Sequence, residues 1–112
     1  MAAVALWRGP ALVLVEANEE FRAHCPPDAF GQPVSEAWAD PIWSDMQATM
    51  REVYREGRRA VVIVQVGDIA GSVLIEPCRG ADGAVEGVAT HWERVESARF
   101  RGRRRGVRSR LR

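Results

Sequence analysis

The length and composition of the chain limit it to a single domain, because 112 residues of which 46% are hydrophobic can bury one modest core and leave no room for a second, catalytic domain. The formal net charge of +1 is the balance of two unlike segments. Residues 1–98 carry eight Arg against fifteen Asp and Glu, hence −7, whereas residues 99–112 carry eight Arg and no acid, hence +8. We therefore predict a folded domain over residues 1–98 and an Arg-rich, disordered tail over residues 99–112, which we take to lack an apolar period on which to fold.

The cysteines and the apolar stretches indicate a cytoplasmic protein. Cys25 and Cys78 are the two cysteines of the sequence, too few and too far apart for a disulfide framework. The longest apolar stretches fall far short of the roughly 20 residues that a membrane helix needs, and residues 1–6 lack the basic start and long apolar region of a signal peptide. We expect reduced thiols and no membrane contact.

The first predicted elements are a short strand and two short helices. Residues 11–15, with the sequence ALVLV, are typical of a buried strand. Asn18 is a suitable N-cap for a helix over residues 19–24, whose first turn holds two Glu where the helix dipole favours negative charge. Residues 34–38 favour one further helical turn.

A longer helix is predicted over residues 42–56. Pro41 suits the start of a helix because its missing N–H would be unpaired there, and Gly57 suits its end. One face of this helix is apolar at spacings of three and four residues, and it consists of Ile42, Met46, Thr49, Met50 and Val53.

Three strands are predicted after this helix, over residues 60–66, 71–77 and 84–95. The glycine-containing clusters at 67–68 and 80–83 favour tight turns between them, so consecutive antiparallel hairpins are expected. The predicted fold class is α+β, an antiparallel sheet with short helices and one longer helix packed on one face.

The four residues at 61–64 are all β-branched and apolar. Antiparallel strands with one solvent-exposed face usually alternate apolar and polar residues instead. We expect both faces of this strand to be buried, one under the helices and the other under a partner subunit. The predicted interface residues are Val62 and Val64, which implies a homodimer. The alternative is a solvent-facing valine that the fold tolerates.

Several short strings stand in order along the chain: WRGP at residues 7–10 before an apolar strand and Asn18, PDAFGQP at 27–33 followed by EAW at 36–38, and DG at 82–83 with GV at 87–88. In this order they resemble a bacterial PAS (Per-Arnt-Sim) sensory domain, of the type found in sensor kinases and PAS-linked phosphatases. The resemblance covers about residues 7–95. The sequence departs from the family at Cys25, which stands near the usual His-Pro position, in the absence of the usual N-terminal flanking helix, and in the Arg-rich tail, which replaces the usual coiled linker.

The resemblance implies a ligand cleft between the sheet and the long helix, suited to a flat or fatty small molecule. Its candidate lining residues are Trp38, Trp43, Met46, Met50, Tyr54, Ile63, Leu74 and Val88. The alternative is an ordinary core, because Met and aromatic residues at helical spacing fill cores more often than they bind ligands.

The resemblance and the residue spacings give no specific cofactor and no catalytic site. Flavin-photosensing relatives carry a GRNCRFL-like string that neither cysteine matches, and haem-binding relatives need a His near the long helix, which residues 42–56 lack. His24, Cys25, Cys78 and His91 lack the paired spacing of a metal site. No third group is available to orient a Cys-His pair, and the glycines at 80–83 do not form a phosphate-binding loop. We expect no enzyme activity.

Two functions from different classes follow from these observations. The first is a sensory or regulatory module that binds a small molecule or a signalling partner protein, self-associates and acts in signal transduction. The alternative is a nucleic-acid-binding protein in which residues 99–112 bind through counterion release and residues 1–98 serve as a structural domain.

Overall fold

The computed structural model describes residues 2–66, 69–95 and 106–111, which form one antiparallel sheet with the helices packed on one face. The strands are β1 (Ala3–Arg8), β2 (Val13–Ala17), β3 (Ala60–Val66), β4 (Ile69–Arg79), β5 (Val85–Val95) and β6 (Gly106–Leu111), in the spatial order β2-β1-β5-β4-β3-β6. The helices are α1 (Glu19–Arg22), α2 (Val34–Ala37) and α3 (Ser44–Glu56), and 3₁₀ turns span Pro27–Ala29 and Pro41–Trp43. The predicted α+β class is confirmed.

Strand β1 is an element that the sequence analysis did not predict. It pairs with both β2 and β5, and its alternate residues Ala5 and Trp7 are buried. The next strand begins at Val13, two residues later than predicted, because Gly9 (φ +76°) and Leu12 (φ +55°) form the turn that precedes it. Left-handed backbone of this kind is incompatible with a strand.

Asn18 caps α1, as predicted, and also holds the start of β1. Its side-chain oxygen accepts hydrogen bonds from the backbone N–H of Phe21 and of Val4, both at 3.0 Å. Its Nδ2 donates to the backbone oxygen of Ala2 at 2.9 Å. One side chain therefore joins the first helix to the first strand. The helix ends at Arg22, two residues before the predicted end.

Helix α3 has the predicted limits within two residues. The Asp40 side chain accepts from the N–H of Ile42 at 3.0 Å in the preceding 3₁₀ turn. At the other end, Gly57 takes the left-handed conformation (φ +72°) and its N–H donates to the Val53 oxygen at 2.8 Å. Because glycine adopts positive φ without steric cost, it ends the helix here. The buried face of the helix consists of Met46, Gln47, Thr49, Met50 and Val53.

The three strands after α3 form the predicted meander. Strand β4 pairs with β3 on one side and with β5 on the other. The hairpin between β4 and β5 closes with a hydrogen bond from the Gly83 N–H to the Gly80 oxygen at 3.0 Å, and Gly83 has φ +85°. The turn predicted at residues 67–68 lies outside the described residues.

Part of the basic tail forms the sixth strand. Residues 106–111 pair with β3, from Ala60 opposite Leu111 to Gln65 opposite Gly106, so the disorder predicted for 99–112 does not extend to these residues. The free edge of β3 offers backbone donors and acceptors that any extended segment can pair with. The sequence of this segment, GVRSRL, alternates in the strand period, a signal that the sequence analysis missed. The predicted boundary at residue 98 and residues 99–105 lie outside the described ranges.

The sequence analysis assigned Val62 and Val64 to the wrong face of the meander. Val62 and Val64, the predicted interface residues, are 0% and 3% exposed within the single chain and belong to its core. Neighbouring residues of a strand point to opposite faces, so Val61 and Ile63, which are partly exposed, lie on the face away from the helices. We call the helix-covered side the inner face and the opposite side the outer face.

Candidate functional site

Six of the eight predicted cleft residues meet between the inner face and the helices. Met46, Met50 and Val88 are fully buried in the core. Trp38, Trp43 and Tyr54 are partly buried and pack against that core.

Ile63 and Leu74 were wrongly placed in the cleft. Their partly exposed side chains lie on the outer face, because the neighbouring residues Val62 and Val73 are the ones buried in the core. The sequence analysis chose them because they are apolar and lie on the strands that face α3. Side chains alternate between the two faces of a strand, so the inner positions belong to the adjacent residues Val62 and Val73.

Five aromatic side chains form one continuous cluster, which we call the aromatic cluster: Trp7, Phe21, Trp38, Trp43 and Trp92. Trp38 lies at its centre, with ring centroids 4.9 Å from Trp7, 5.5 Å from Trp43 and 6.5 Å from Trp92. The Trp38 and Trp43 rings are stacked, and Trp92 meets both of them edge to face. These are the arrangements that aromatic rings prefer.

The cluster joins the sheet to the segment that leads into α3. Trp7 and Trp92 stand on β1 and β5, while Trp38 ends α2 and Trp43 lies in the 3₁₀ turn before α3. Gln47 of α3 is buried and its Nε2 donates to the Trp38 backbone oxygen at 2.6 Å. This bond fixes the position of the segment over the sheet.

The two sheet tryptophans differ in their hydrogen bonding. The Nε1–H of Trp7 donates to Oγ1 of Thr90, a fully buried hydroxyl, at 3.1 Å. The Nε1 of Trp92 is buried and has no hydrogen-bond partner among the described residues. An unpaired buried donor costs about 1–3 kcal/mol, so this atom would gain from an acceptor supplied by a bound molecule.

The sequence analysis did not select Trp7, Phe21 or Trp92 as site residues. Trp92 could have been selected from the sequence, because alternate residues of a strand share a face and Trp92 follows Val88 and Thr90 at that spacing in the predicted strand 84–95. Trp7 stood outside every predicted strand. The unpaired Nε1 of Trp92 depends on neighbours from other elements and has no signature in the sequence.

The thiols carry no sign of activation. Burial raises the pKa of Cys25 and, with a contribution from the Glu76 carboxylate, that of Cys78. Both stay protonated at neutral pH, whereas a nucleophilic cysteine needs a lowered pKa. Within the described residues, no three His, Cys, Asp or Glu side chains are grouped to hold a metal ion.

None of the helices in the described part of the chain has the length and apolar character to cross a membrane.

The outer face carries a polar pair among apolar residues. Nε2 of His91 lies 3.4 Å from Oε1 of Glu76, and both side chains are partly exposed. A shallow groove of about 250 Å³ crosses β1 and β2, with Val4, Leu6 and Glu16 in its lining. Val15 on β2 is 43% exposed.

Neither a protein-family model nor a curated protein sequence matches the chain. Solved structures match it in fold. A sensory box sensor histidine kinase from Vibrio cholerae is 16% identical, with a TM-score of 0.68 over 85% of this chain and 82% of that one. The PAS domain of the histidine kinase ThkA is 13% identical, with a TM-score of 0.68 over 83% and 99% of the two chains.

The chain also resembles part of VqmA. The structure of VqmA bound to DPO is 17% identical, with a TM-score of 0.70 over 88% of this chain and 53% of VqmA. A Vibrio cholerae VqmA dimer in the absence of target DNA gives the same identity and TM-score over 49% of its length, so this chain spans about half of VqmA. At these identities the likeness concerns the fold, and it confirms the resemblance inferred from the sequence: the chain has the fold of a PAS domain.

Proposed function

We propose that the chain is a cytoplasmic, non-catalytic sensory module of signal transduction, which binds a small molecule in the aromatic cluster and associates with a second copy. The observation that carries the ligand-binding part is the buried Nε1 of Trp92, for which the described part of the chain supplies no hydrogen-bond acceptor. The PAS fold supports the sensory role, because the structural neighbours include sensor kinases and a receptor bound to DPO. The same site is open to a signalling partner protein that inserts an aromatic side chain.

The aromatic cluster defines the class of ligand. Its rings favour a flat molecule that stacks on them, and the Nε1–H of Trp92 favours a molecule with a hydrogen-bond acceptor at its edge. Trp38 and Trp43 are partly exposed and lie on the segment outside the sheet, so a ligand reaches Trp92 by displacing one of these rings. The module would signal through the resulting movement at the start of α3.

A thermal-shift screen of planar heteroaromatic compounds with a carbonyl or ring-nitrogen acceptor tests this proposal. At a hundredfold excess over its dissociation constant, a ligand of the folded state raises the free energy of unfolding by about 2.7 kcal/mol. For the best compound, Trp92→Phe should weaken binding about tenfold, the value of one hydrogen bond of about 1.4 kcal/mol. Val15→Thr changes an exposed residue of β2 outside the cluster and serves as the control.

Two results would contradict the ligand-binding proposal. One is a screen in which no planar compound stabilises the chain. The other is a bound compound whose affinity is the same for Trp92→Phe and for the unaltered chain, which would place it elsewhere. A ligand that binds and loses affinity in Trp92→Phe alone would establish the site.

The second candidate function is nucleic-acid binding through the tail, favoured by eight arginines without an acid in residues 99–112. A matched test replaces the five arginines of residues 99–105 with Gln and leaves β6 unaltered. Binding by counterion release predicts that affinity for duplex DNA falls steeply with salt and is lost in this variant. Binding that is independent of salt, or absent, would remove this candidate.

A further inference from the structure

The two edges of the sheet are closed in different ways. The edge of β2 is covered by residues close to it in the chain: the Leu14 N–H donates to the Gln32 oxygen at 3.0 Å, and the Gly31 N–H donates to the Leu14 oxygen at 2.9 Å. The edge of β3 is covered by β6, which follows β5 only after residues 96–105. An edge strand exposes backbone groups that another strand can pair with, and at β3 a distant segment of the same chain pairs with them.

The registers identify the backbone groups that join β3 to β6. The N–H and the carbonyl of Val4 both face β2, because the N–H donates to the Asn18 side chain at 3.0 Å and the carbonyl accepts from the Asn18 N–H at 2.9 Å. Successive residues of an antiparallel strand direct these groups alternately to its two neighbours. Carried through the registers of β1, β5, β4 and β3, the alternation directs the N–H groups of Val61 and Ile63 at β6.

Strand β6 also lies beside the segment that closes the aromatic cluster. Its Cα atoms come within 8 Å of those of α3 and of the 3₁₀ turn at Pro41–Trp43. In the same region the Trp92 ring lies over Gly71, where a Cβ would be 3.5 Å from the ring, and the row of Gly71 continues through Val64 to Val107 of β6. The Trp43 ring contacts Trp92 there, with centroids 5.8 Å apart.

The other end of α3 is held independently of β6. The guanidinium of Arg79 donates to the Gly57 oxygen at 3.1 Å and to the Gly83 oxygen at 2.8 Å. These bonds join the C-terminal end of α3 to the hairpin between β4 and β5. The helix is therefore fixed at Gly57, whereas at its N-terminal end the 3₁₀ turn lies between the aromatic cluster and β6.

We propose that the edge of β3 is a reversible binding surface for residues 106–111 of the same chain, and that bound β6 holds the 3₁₀ turn closed over the aromatic cluster. When β6 leaves, the start of α3 loses a neighbour while its end stays fixed, so the turn moves and small molecules reach Trp92. This inference rests on the proposed function, because it gives the tail control over entry to the ligand site.

The charges of the chain favour a weakly held strand. Residues 1–98 have a net charge of −7 and attract the tail, in which eight arginines occur without an acid. The arginines repel one another when the tail is ordered, which opposes the attraction. Segments near a chain terminus open with the smallest free energies in a fold. Binding and release of β6 are therefore expected without unfolding of the core.

Amide hydrogen exchange of the full chain, followed by NMR, tests the binding surface. Arg108→Pro removes a backbone N–H that faces β3, so the amides of Val61 and Ile63 should exchange about tenfold faster or more. The Trp43 amide, which donates to the Asp40 oxygen in the 3₁₀ turn at 2.9 Å, should also exchange faster. The amides of Val62, Val64 and Gly57, which are paired within β3–β4 and α3, should keep their rates.

Two variants serve as matched controls. Ser109→Pro places the same ring at a residue whose N–H faces away from β3, where an edge strand tolerates proline. Arg108→Gln removes the same charge and keeps the backbone N–H. Both should retain the protection of Val61 and Ile63.

Acrylamide quenching of tryptophan fluorescence measures access to the aromatic cluster without any ligand. The quenching constant should rise by about twofold in Arg108→Pro, because local opening exposes rings that are partly buried in the closed state. It should stay unchanged in Ser109→Pro and in Arg108→Gln.

The outcomes separate this inference from the proposed function. Faster exchange at Val61, Ile63 and Trp43 together with stronger quenching, in Arg108→Pro alone, establishes it. Unprotected Val61 and Ile63 in the unaltered chain, or equal acceleration at Val62 and Val64, overturns reversible binding of β6. Loss of β6 without a change at Trp43 or in quenching overturns its control of the cluster and leaves ligand binding standing. A compound screen without a ligand contradicts the proposed function and does not alter these measurements.

Discussion

The inner and outer faces of the sheet are built from similar residues but differ in how far those residues are buried. On β3, Val62 and Val64 are buried under the helices, while Val61 and Ile63, of the same β-branched type, remain partly exposed. On β5, Thr90 is buried and bonded to Trp7, while the adjacent His91 lies beside Glu76 at the opposite surface. The comparison shows that residue type does not assign a face here. The register of the strands and the position of the helices do.

The largest expected difference between the two faces is the loss of stability caused by a charge introduced on each face of β3. Val62→Glu buries an uncompensated carboxylate in the core, which costs about 3–5 kcal/mol, a large share of the 5–15 kcal/mol that stabilises a typical domain. Val61→Glu places the same group on the outer face, where a surface substitution changes stability by about 0.5 kcal/mol or less. Thermal unfolding followed by circular dichroism should show Val62→Glu largely unfolded and Val61→Glu folded but monomeric. Equal loss of stability in the two variants would contradict the assignment of faces.

A truncation on each face gives the next largest difference. Met50 is fully buried between α3 and the sheet, so Met50→Ala should lower the free energy of unfolding by about 2–5 kcal/mol. Leu74→Ala on the outer face should cost about 1 kcal/mol in the monomer, because a leucine side chain that keeps part of its contact with water gains less than a fully buried one. Urea unfolding at a protein concentration below that of association measures both. The comparison fails if Leu74→Ala is the more destabilising change.

The two tryptophans of the sheet offer a smaller, matched comparison within the inner face. Trp7→Phe leaves the buried Thr90 hydroxyl without its partner and should cost about 1–3 kcal/mol. Trp92→Phe removes a donor that has no acceptor within the described ranges and keeps an aromatic ring against Trp38 and Trp43, so it should cost less stability than Trp7→Phe. Urea unfolding of the two variants without ligand checks this expectation. A Trp92→Phe variant as unstable as Trp7→Phe would mean that the Trp92 donor is already satisfied.

The smallest effect concerns the thiols, one in the helical segment and one on the sheet. Burial is the largest cause of the raised pKa of Cys25 and of Cys78, so both should react with iodoacetamide more slowly than a free thiol at pH 8. The folded state disfavours the thiolate, so stability is retained below the ordinary thiol pKa and decreases as the pH rises through it. Dimerisation through the outer face should further slow the reaction of Cys78, which is on that face, and not that of Cys25. Single-cysteine variants labelled at low and high protein concentration measure this, and equal protection of both would argue against the interface.

The local signals in the sequence were reliable where a single residue type determines a conformation. Asn18 caps α1 and Gly57 ends α3 as predicted, because a short amide side chain suits an N-cap and positive φ favours glycine. The hairpin at residues 80–83 was found for the same reason. The ordered strings at 7–10, 27–38 and 82–88 also indicated the PAS fold, which the structural comparisons confirm.

The candidate site could be predicted in part. Met46 and Met50 were named because helical spacing places them on one face of α3 and the resemblance to a PAS domain implies a cleft there, whereas Trp38 and Trp43 were named through that resemblance alone. Trp7 was missed because β1 was missed. Two of the six residues of β1 are alanines, which do not favour a strand, and the segment is a strand because it pairs with β2 and β5. Likewise, β6 forms from an Arg-rich segment through backbone pairing to β3.

The sequence by itself determined the order of the elements from β2 to β5, the end of the main helix at Gly57, the hairpin at residues 80–83 and the α+β class, because each depends on residues that are close together in the chain. The tertiary structure decided which valines of 61–64 are buried, since an unbroken apolar run has no alternation by which its two faces differ. It also left the Nε1 of Trp92 without an acceptor in the residues that the structure describes, and it brought Glu76 to His91. These are relations between separate strands and helices, and they are fixed when the strands pair and the helices pack on one side of the sheet.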